Sequence, residues 1–336
     1  MPEVFLINGT ASEIAEEADG LAPPAARGLG RLRPLFDALL DLKRIRVSGA
    51  AGSLADGLFA RAWGALVAGA APETVADRTV ADALVAVRLG GMTAAVLANH
   101  GLTDGEAHAI RAHALDDVAG DALDAPTLGR LRAALGAEWP GGPAPAFVAA
   151  LADQPRAGAT HPGVPRMVLA PAESHGDHCL AVATFGYLAA PAFGAEPAEP
   201  FLTGLAHHLF NASLPDIGHA GDVFLGDDAA DRLWRSATDR ALATLAEPLA
   251  GCVEAAIGLT REAAFARGDP AARAFQAADA LDRTLELAWH ARSAAFALRD
   301  ALGPPERGGL NVVHAGFPQR FQRAVLAAVG LGADLR

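Results

Sequence analysis

Glu173-Ser174-His175-Gly176-Asp177-His178 opens the most informative stretch of this 336-residue chain, which continues to Asp222. The apolar run Cys179-Leu180-Ala181-Val182-Ala183 follows. Then come Ala206-His207-His208-Leu209-Phe210-Asn211 and Leu214-Pro215-Asp216-Ile217-Gly218-His219. Five of the eleven histidines fall between Glu173 and Asp222. Imidazoles and carboxylates set within apolar sequence are drawn into a common buried site more readily than they are scattered over a solvated face. Together they suit Zn, Fe or Mn. The stretch therefore predicts a metal site on helices. His178 to Ala190 reads as one helix closed by Pro191, and Phe201 to Phe210 as the next.

Outward from this stretch the helical period persists. Leu32, Leu35, Phe36, Leu39 and Leu40 mark a helix from Arg31 to about Arg46. Ser53 is placed to cap a helix carrying Leu54, Leu58, Ala62 and Leu66, and Asp77 or Thr79 to cap the one after it. Thr103-Asp104-Gly105-Glu106 has the form of a capping box. On the C-terminal side, helices are predicted over Ala229 to Leu245, Ala250 to Ala266, Ala271 to Leu302 and Pro318 to Val329. Met167-Val168-Leu169 and Leu310-Asn311-Val312-Val313 are strand-like but too short to build a sheet. The fold class expected is all-α. Breaker-rich segments at Trp139 to Pro145 and Gln154 to Pro165 divide an N-terminal helical region, 1–150, from a metal-binding helical domain, 165–336.

Composition supports helices and narrows the function. Hydrophobic residues make up 51%, with few β-branched side chains and one tyrosine. The formal net charge of −12, with no basic stripe, argues against a nucleic-acid surface. No run of about eighteen uncharged apolar residues reads as a membrane span. The N-terminus lacks the pattern of a signal peptide. Two cysteines, Cys179 and Cys252, form no framework, and a reducing, cytoplasmic compartment is expected.

A helical metal site draws ligands from several facing helices. The long helix predicted at Ala271 supplies Asp279 and Asp282, three apart on one face, with Glu286 and His290 following. A carboxylate in so apolar a helix needs a cationic partner.

The order of these residues resembles the HD-domain superfamily of metal-dependent phosphohydrolases, over residues of about 170 to 300. His178-Cys179-Leu180-Ala181-Val182-Ala183 is similar to the family's first histidine helix. Gly204-Leu205-Ala206-His207-His208 is similar to its apolar element ending in His-Asp, and Ala277-Ala278-Asp279-Ala280-Leu281-Asp282 to its closing Asp motif. Where the family has His-Asp, this chain has His207-His208. Either His208 takes the place of the Asp, which is the preferred assignment, or Asp216 reaches the site from the loop that follows. The resemblance implies one or two divalent transition-metal ions (Fe, Mn or Zn) held by His178, His207, His208 and Asp279. It implies hydrolysis of a small phosphorylated or acidic substrate. Glu173, Asp177 or Asp216 would hold or deprotonate water. Arg283 and His290 are the candidate substrate contacts, with Arg166, Arg273 and Arg292 as further cations able to receive a phosphate. Two alternatives stand beside hydrolysis: an iron-dependent oxygenase of the same superfamily, favoured by the extra histidines, and a non-enzymatic helical scaffold. Residues 1–150 would cap the pocket or form a homodimer.

Overall fold

The computed structural model describes residues 21–136, 141–291 and 319–331. Among these the chain is all-α: fifteen α-helices, no strand, and two isolated antiparallel bridges, Pro155 with Ser174 and Ala159 with Met167.

The helix at the centre is His175–Phe193, α8 in a count that runs α1 Pro23–Leu39, α2 Leu54–Val67, α3 Pro72–Leu89, α4 Ala94–Asn99, α5 Asp104–Ala119, α6 Ala125–Leu135 and α7 Ala146–Asp153 before it. Every residue of α8 from His175 to Ala190 is buried. A helix apolar on all sides can be satisfied only by neighbours on all sides. Helices α1, α2 and α7 pack on α8 from the N-terminal half, and α9 (Ala198–Ala206) and α14 (Pro270–Ala291) from the C-terminal half. Helices α10 (Gly218–Leu225), α11 (Asp227–Leu242), α12 (Leu249–Gly258) and α13 (Glu262–Ala266) lie between those two in sequence, and α15 (Gln319–Ala328) packs on α14 and α1. One continuous cluster of buried apolar side chains includes Leu29, Phe36, Trp63 and Leu84 together with Phe185, Leu205, Leu281 and Phe321. The breaker-rich loops around 141–145 and 154–174 thus cross a shared core, and residues 21–136 have no separate core of their own.

Local chemistry explains where elements begin and end. Pro23-Pro24 starts α1 because proline at the first helical positions gives up only an N–H that has no helical partner there. The same holds for Pro72 in α3, which places Asp77 and Thr79 inside that helix and not at its cap. Pro191 lies inside the last turn of α8, and the chain leaves the helix at Gly194 in the left-handed region with φ 74°. The expected helix from Ala250 to Ala266 is two, α12 and α13.

Two N-termini are sewn together. Ser53 and Asp56 form a capping box on α2, and Ser174 and Asp177 form one on α8. The serines also exchange partners: Ser174 Oγ donates to Asp56 Oδ1 at 2.6 Å, and Ser53 Oγ donates to Asp177 Oδ1. Gly176 permits the close approach, since a Cβ there would lie 2.6 Å from Asp56 Oδ1. Helices α8 and α9 meet even more closely. A Cβ on Gly204 would lie 2.5 Å from both the Cα and the N of Ala183. One turn beyond that contact stands His207.

Candidate metal centre

Four imidazoles converge where α9 ends against the first turn of α8. His178 is fully buried on α8. Its Nδ1 donates to Asp282 Oδ2 at 2.6 Å. A carboxylate accepts and does not donate, so Nδ1 carries a proton, and in the neutral ring Nε2 presents a lone pair. His207, the C-cap of α9, donates Nδ1–H to the Gly204 carbonyl at 2.7 Å. Its Nε2 therefore also presents a lone pair. These two Nε2 atoms face each other at 3.1 Å. Two lone pairs confronted at that distance repel unless a metal ion or a proton lies between them. Ligand nitrogens about 2.0–2.1 Å from one metal stand roughly 3 Å apart.

His208 completes the group. Helix α9 stops at Ala206 and a short 3₁₀ turn, Leu209–Ala212, follows, so the two consecutive histidines are released from the 100° offset of a continuous helix. His208 Nδ1 meets Asn211 Oδ1 at 2.8 Å, leaving Nε2 open. The ring centres of His178 and His208 are 5.1 Å apart, and those of His207 and His208 4.3 Å. His178, His207 and His208 offer nitrogens close enough together to hold one metal ion. Asp279 Oδ1 lies 3.4 Å from His178 Nε2, while its Oδ2 accepts from Arg283 Nη2 at 2.8 Å. The fit to a metal thus rests on the donor set: three imidazoles, each oriented by an acceptor behind it, with an anionic carboxylate alongside.

Electrostatics keep these groups in the ligating form. Burial, then the nearby His178 ring, pushes His207 down to about 3. Burial and the His207 ring hold His208 well below the ordinary imidazole value. Burial alone would raise the Asp279 carboxyl, but Arg283 and His178 outweigh it and hold it well below the usual range.

Lys43, which sequence reasoning missed, stands behind the imidazoles. It is the only lysine in the chain and is buried. Its Nζ donates to Glu173 Oε2 at 2.6 Å and to Asp282 Oδ1 at 2.7 Å, with Glu286 Oε2 at 3.5 Å. Burial disfavours its charge, but Asp282, Glu173 and Glu286 outweigh that and raise its pKa. Glu173, His178 and Asp282 form a second group with metal-ligand spacing, and the Lys43 ammonium already sits between two of its members. The only signal in the sequence was that singular lysine at Lys43, far in the chain from each of its partners.

The remaining expected residues divide. Glu173 borders the centre through Lys43 and lies 3.6 Å from Arg156 Nε. Asp216 accepts from the backbone N–H of Ala157 at 2.8 Å and of Gly218 at 3.0 Å, and its Oδ2 lies 3.6 Å from His175 Nε2. Asp177 is committed to the paired capping boxes: its oxygens accept from Ser53 and the Ser174 backbone, and burial followed by Asp56 pushes it up to about 7. Arg283 is at the site as the partner of Asp279. His290 is not: eleven residues beyond Asp279, about 16 Å along α14, it meets Glu286 at 3.1 Å beside Arg44 and Trp289. Arg166 donates to the Ala157 carbonyl at 3.0 Å. Arg292 lies outside the described residues, as do Leu310 to Val313. Among the described residues no helix is long and apolar enough to cross a membrane.

Comparison of the chain with family models, with curated proteins and with solved structures found no match.

Proposed function

We propose that this chain is a metal-dependent hydrolase of a small phosphorylated or acidic substrate, built on an HD-like arrangement of His178, His207, His208 and Asp279. The observation that carries this reading is the 3.1 Å approach of the two Nε2 atoms, both with their other ring nitrogen already engaged by an acceptor. The order of the four residues along the chain supports the HD-like assignment, with His208 standing where that family has Asp.

A divalent transition metal bound there would acidify a water molecule and polarise an ester. Zn, Mn and Fe all suit a set rich in imidazole. The chain's own groups do the rest. Asp282, anchored by Lys43, fixes the His178 tautomer. The Gly204 carbonyl does the same for His207, and Asn211 for His208. Asp216, beside His175, is the carboxylate placed to hold or accept a proton from water. Glu173, tied by Lys43, balances charge at the rim.

Iron-dependent oxygenation is the second reading, favoured by three imidazoles in place of a carboxylate-rich set. One experiment separates them. The purified full-length protein is analysed for metal, then assayed for phosphate release from a generic phosphomonoester and for oxygen uptake. Metal-dependent phosphate release supports the hydrolase; bound iron with oxygen consumption and no phosphate release transfers the assignment to the oxygenase.

A further inference from the structure

Among the described residues, two side chains beside the imidazole cluster carry buried nitrogens with no hydrogen-bond partner. His175 is 0% exposed, and neither ring nitrogen makes a hydrogen bond. Its ring centre lies 4.8 Å from that of His208, and its nearest carboxylate oxygen, on Asp216, is 3.6 Å away, beyond a normal hydrogen bond. Arg156 Nη1 is likewise buried without a partner. Arg156 is set by its backbone N–H, which donates to the Glu173 carbonyl at 3.0 Å, next to the Pro155–Ser174 bridge. Its Nε lies 3.6 Å from Glu173 Oε1, and its charge acts on His175, His207, His208, Asp216 and Asp279, so the guanidinium stands within electrostatic range of the cluster.

Open valences of this kind are costly in a folded interior and mark a place shaped for a polar guest. Charge points the same way. Around the centre five carboxylates, Glu173, Asp216, Asp279, Asp282 and Glu286, face four cations. Three of those cations, Lys43, Arg44 and Arg283, each meet a carboxylate at 2.8 Å or less, whereas Arg156 has only Glu173 at 3.6 Å. A divalent cation added to this set leaves one positive charge unmatched, and Arg156 is the group with hydrogen-bonding capacity to spare. We propose that Arg156 and His175 form an oxyanion subsite, which takes the anionic oxygen group of the substrate and sets it beside the imidazole cluster. The shared chemistry is an oxyanion, phosphate or carboxylate, and the role in turnover rests on the metal-centre reading.

The test is calorimetric titration of inorganic phosphate and, separately, acetate into the full-length protein, with metal content measured on the same sample. The wild type should bind at least one of the two, and the tighter anion names the substrate's anionic group. Arg156→Gln should bind that anion about tenfold or more weakly with metal content unchanged. Should Arg156→Gln fail to fold by circular dichroism, His175→Gln carries the test, with weaker anion binding again expected. A wild type that binds neither anion, or folded variants that bind as the wild type does, would overturn the subsite. Anion binding that depends on Arg156 in a protein free of metal keeps the subsite and removes the hydrolase.

Discussion

Two of the clusters of buried charge among the described residues differ in what they leave open. In the N-terminal half Asp82 on α3 is surrounded by Arg78 at 3.2 Å, Arg61 at 3.3 Å and Arg111. Arg78 donates to the Ala134 and Leu135 carbonyls at 2.9 and 3.2 Å, and Arg111 to that of Leu135 at 3.4 Å. The guanidiniums thus close the C-terminus of α6, whose carbonyls have no helical partner, and Asp82 holds them there. At the α8–α9–α14 junction the outer layer is closed except at Glu286 Oε2 and Arg44 Nε, which make no hydrogen bond among the described residues: Lys43 meets Glu173 and Asp282, and Asp282, Gly204 and Asn211 meet their imidazoles. The inner layer is not. The Nε2 atoms of His178 and His207 meet only each other, at 3.1 Å, and both nitrogens of His175 and Nη1 of Arg156 make no hydrogen bond among the described residues. The first cluster is spent on a helix end; the second gathers imidazoles that could hold a metal ion.

The largest expected effect tests the structural half of that contrast. Asp82→Ala leaves buried guanidiniums uncompensated and should cost about 3–5 kcal/mol in urea unfolding. Metal content per folded molecule should stay unchanged. Loss of metal in a folded Asp82→Ala protein would erase the distinction between the clusters. Next, Gly204→Ala pushes a methyl into the Ala183 backbone. It should destabilise by about 1–3 kcal/mol and, unlike Asp82→Ala, weaken metal binding, because it displaces His207 from His178. Wild-type metal affinity in that variant would mean that the helix contact does not set the site.

The all-α class was legible because the apolar period runs through nearly every segment, from Leu32 to Leu285. The order His178, His207, His208, Asp279 was legible because each residue stands out against apolar neighbours. Lys43 and Arg156 were not. Lys43 fell inside the helix expected to reach Arg46, but that helix stops at Leu39 and a 3₁₀ turn, Leu40–Lys43, follows; Arg156 lies in irregular chain where no period predicts a facing direction, and each meets its partners only through long-range packing. Asp177 read as a candidate base because a carboxylate beside a histidine looks the same in sequence whether it caps a helix or serves chemistry; the Ser53–Asp56 box that claims it is over a hundred residues away. His290 shares a helix with Asp279, and a helical face alone could not reveal the distance between them.

Smaller effects sharpen the outer layer's role. Asp282→Asn removes the acceptor that fixes the His178 tautomer and should weaken metal binding about 10- to 100-fold, read by competition with a chromogenic chelator; no change would show that Asp282 serves only Lys43. In chelator-treated protein, pH reports the inner layer. His175 and His207 are each pushed down to about 3 from an ordinary 6.5. Below pH 6.5 the unfolded chain binds protons that the native state refuses, so stability falls as pH falls toward 3, by up to about 1.4 kcal/mol per unit for each histidine. Asp177 has the opposite sign: raised to about 7 from 3.8, it takes a proton in the native state first and offsets one histidine across that window. With His208 also held well below 6.5, a net loss of roughly 3 kcal/mol between pH 6.5 and 5 is expected from urea midpoints. A flat or rising profile would mean that the imidazoles are not held neutral.

The most direct test of the central claim is elemental analysis of the purified full-length protein beside its His207→Ala variant. The confronted lone pairs predict about one equivalent of Zn, Mn or Fe in the wild type, since Lys43 already fills the neighbouring carboxylate group. They predict its loss in His207→Ala with the helical circular dichroism retained. A wild type that neither carries nor takes up any of these metals, or a His207→Ala variant that keeps full metal content, would contradict the account. In the first case a proton on His178, and not a metal, bridges the two rings.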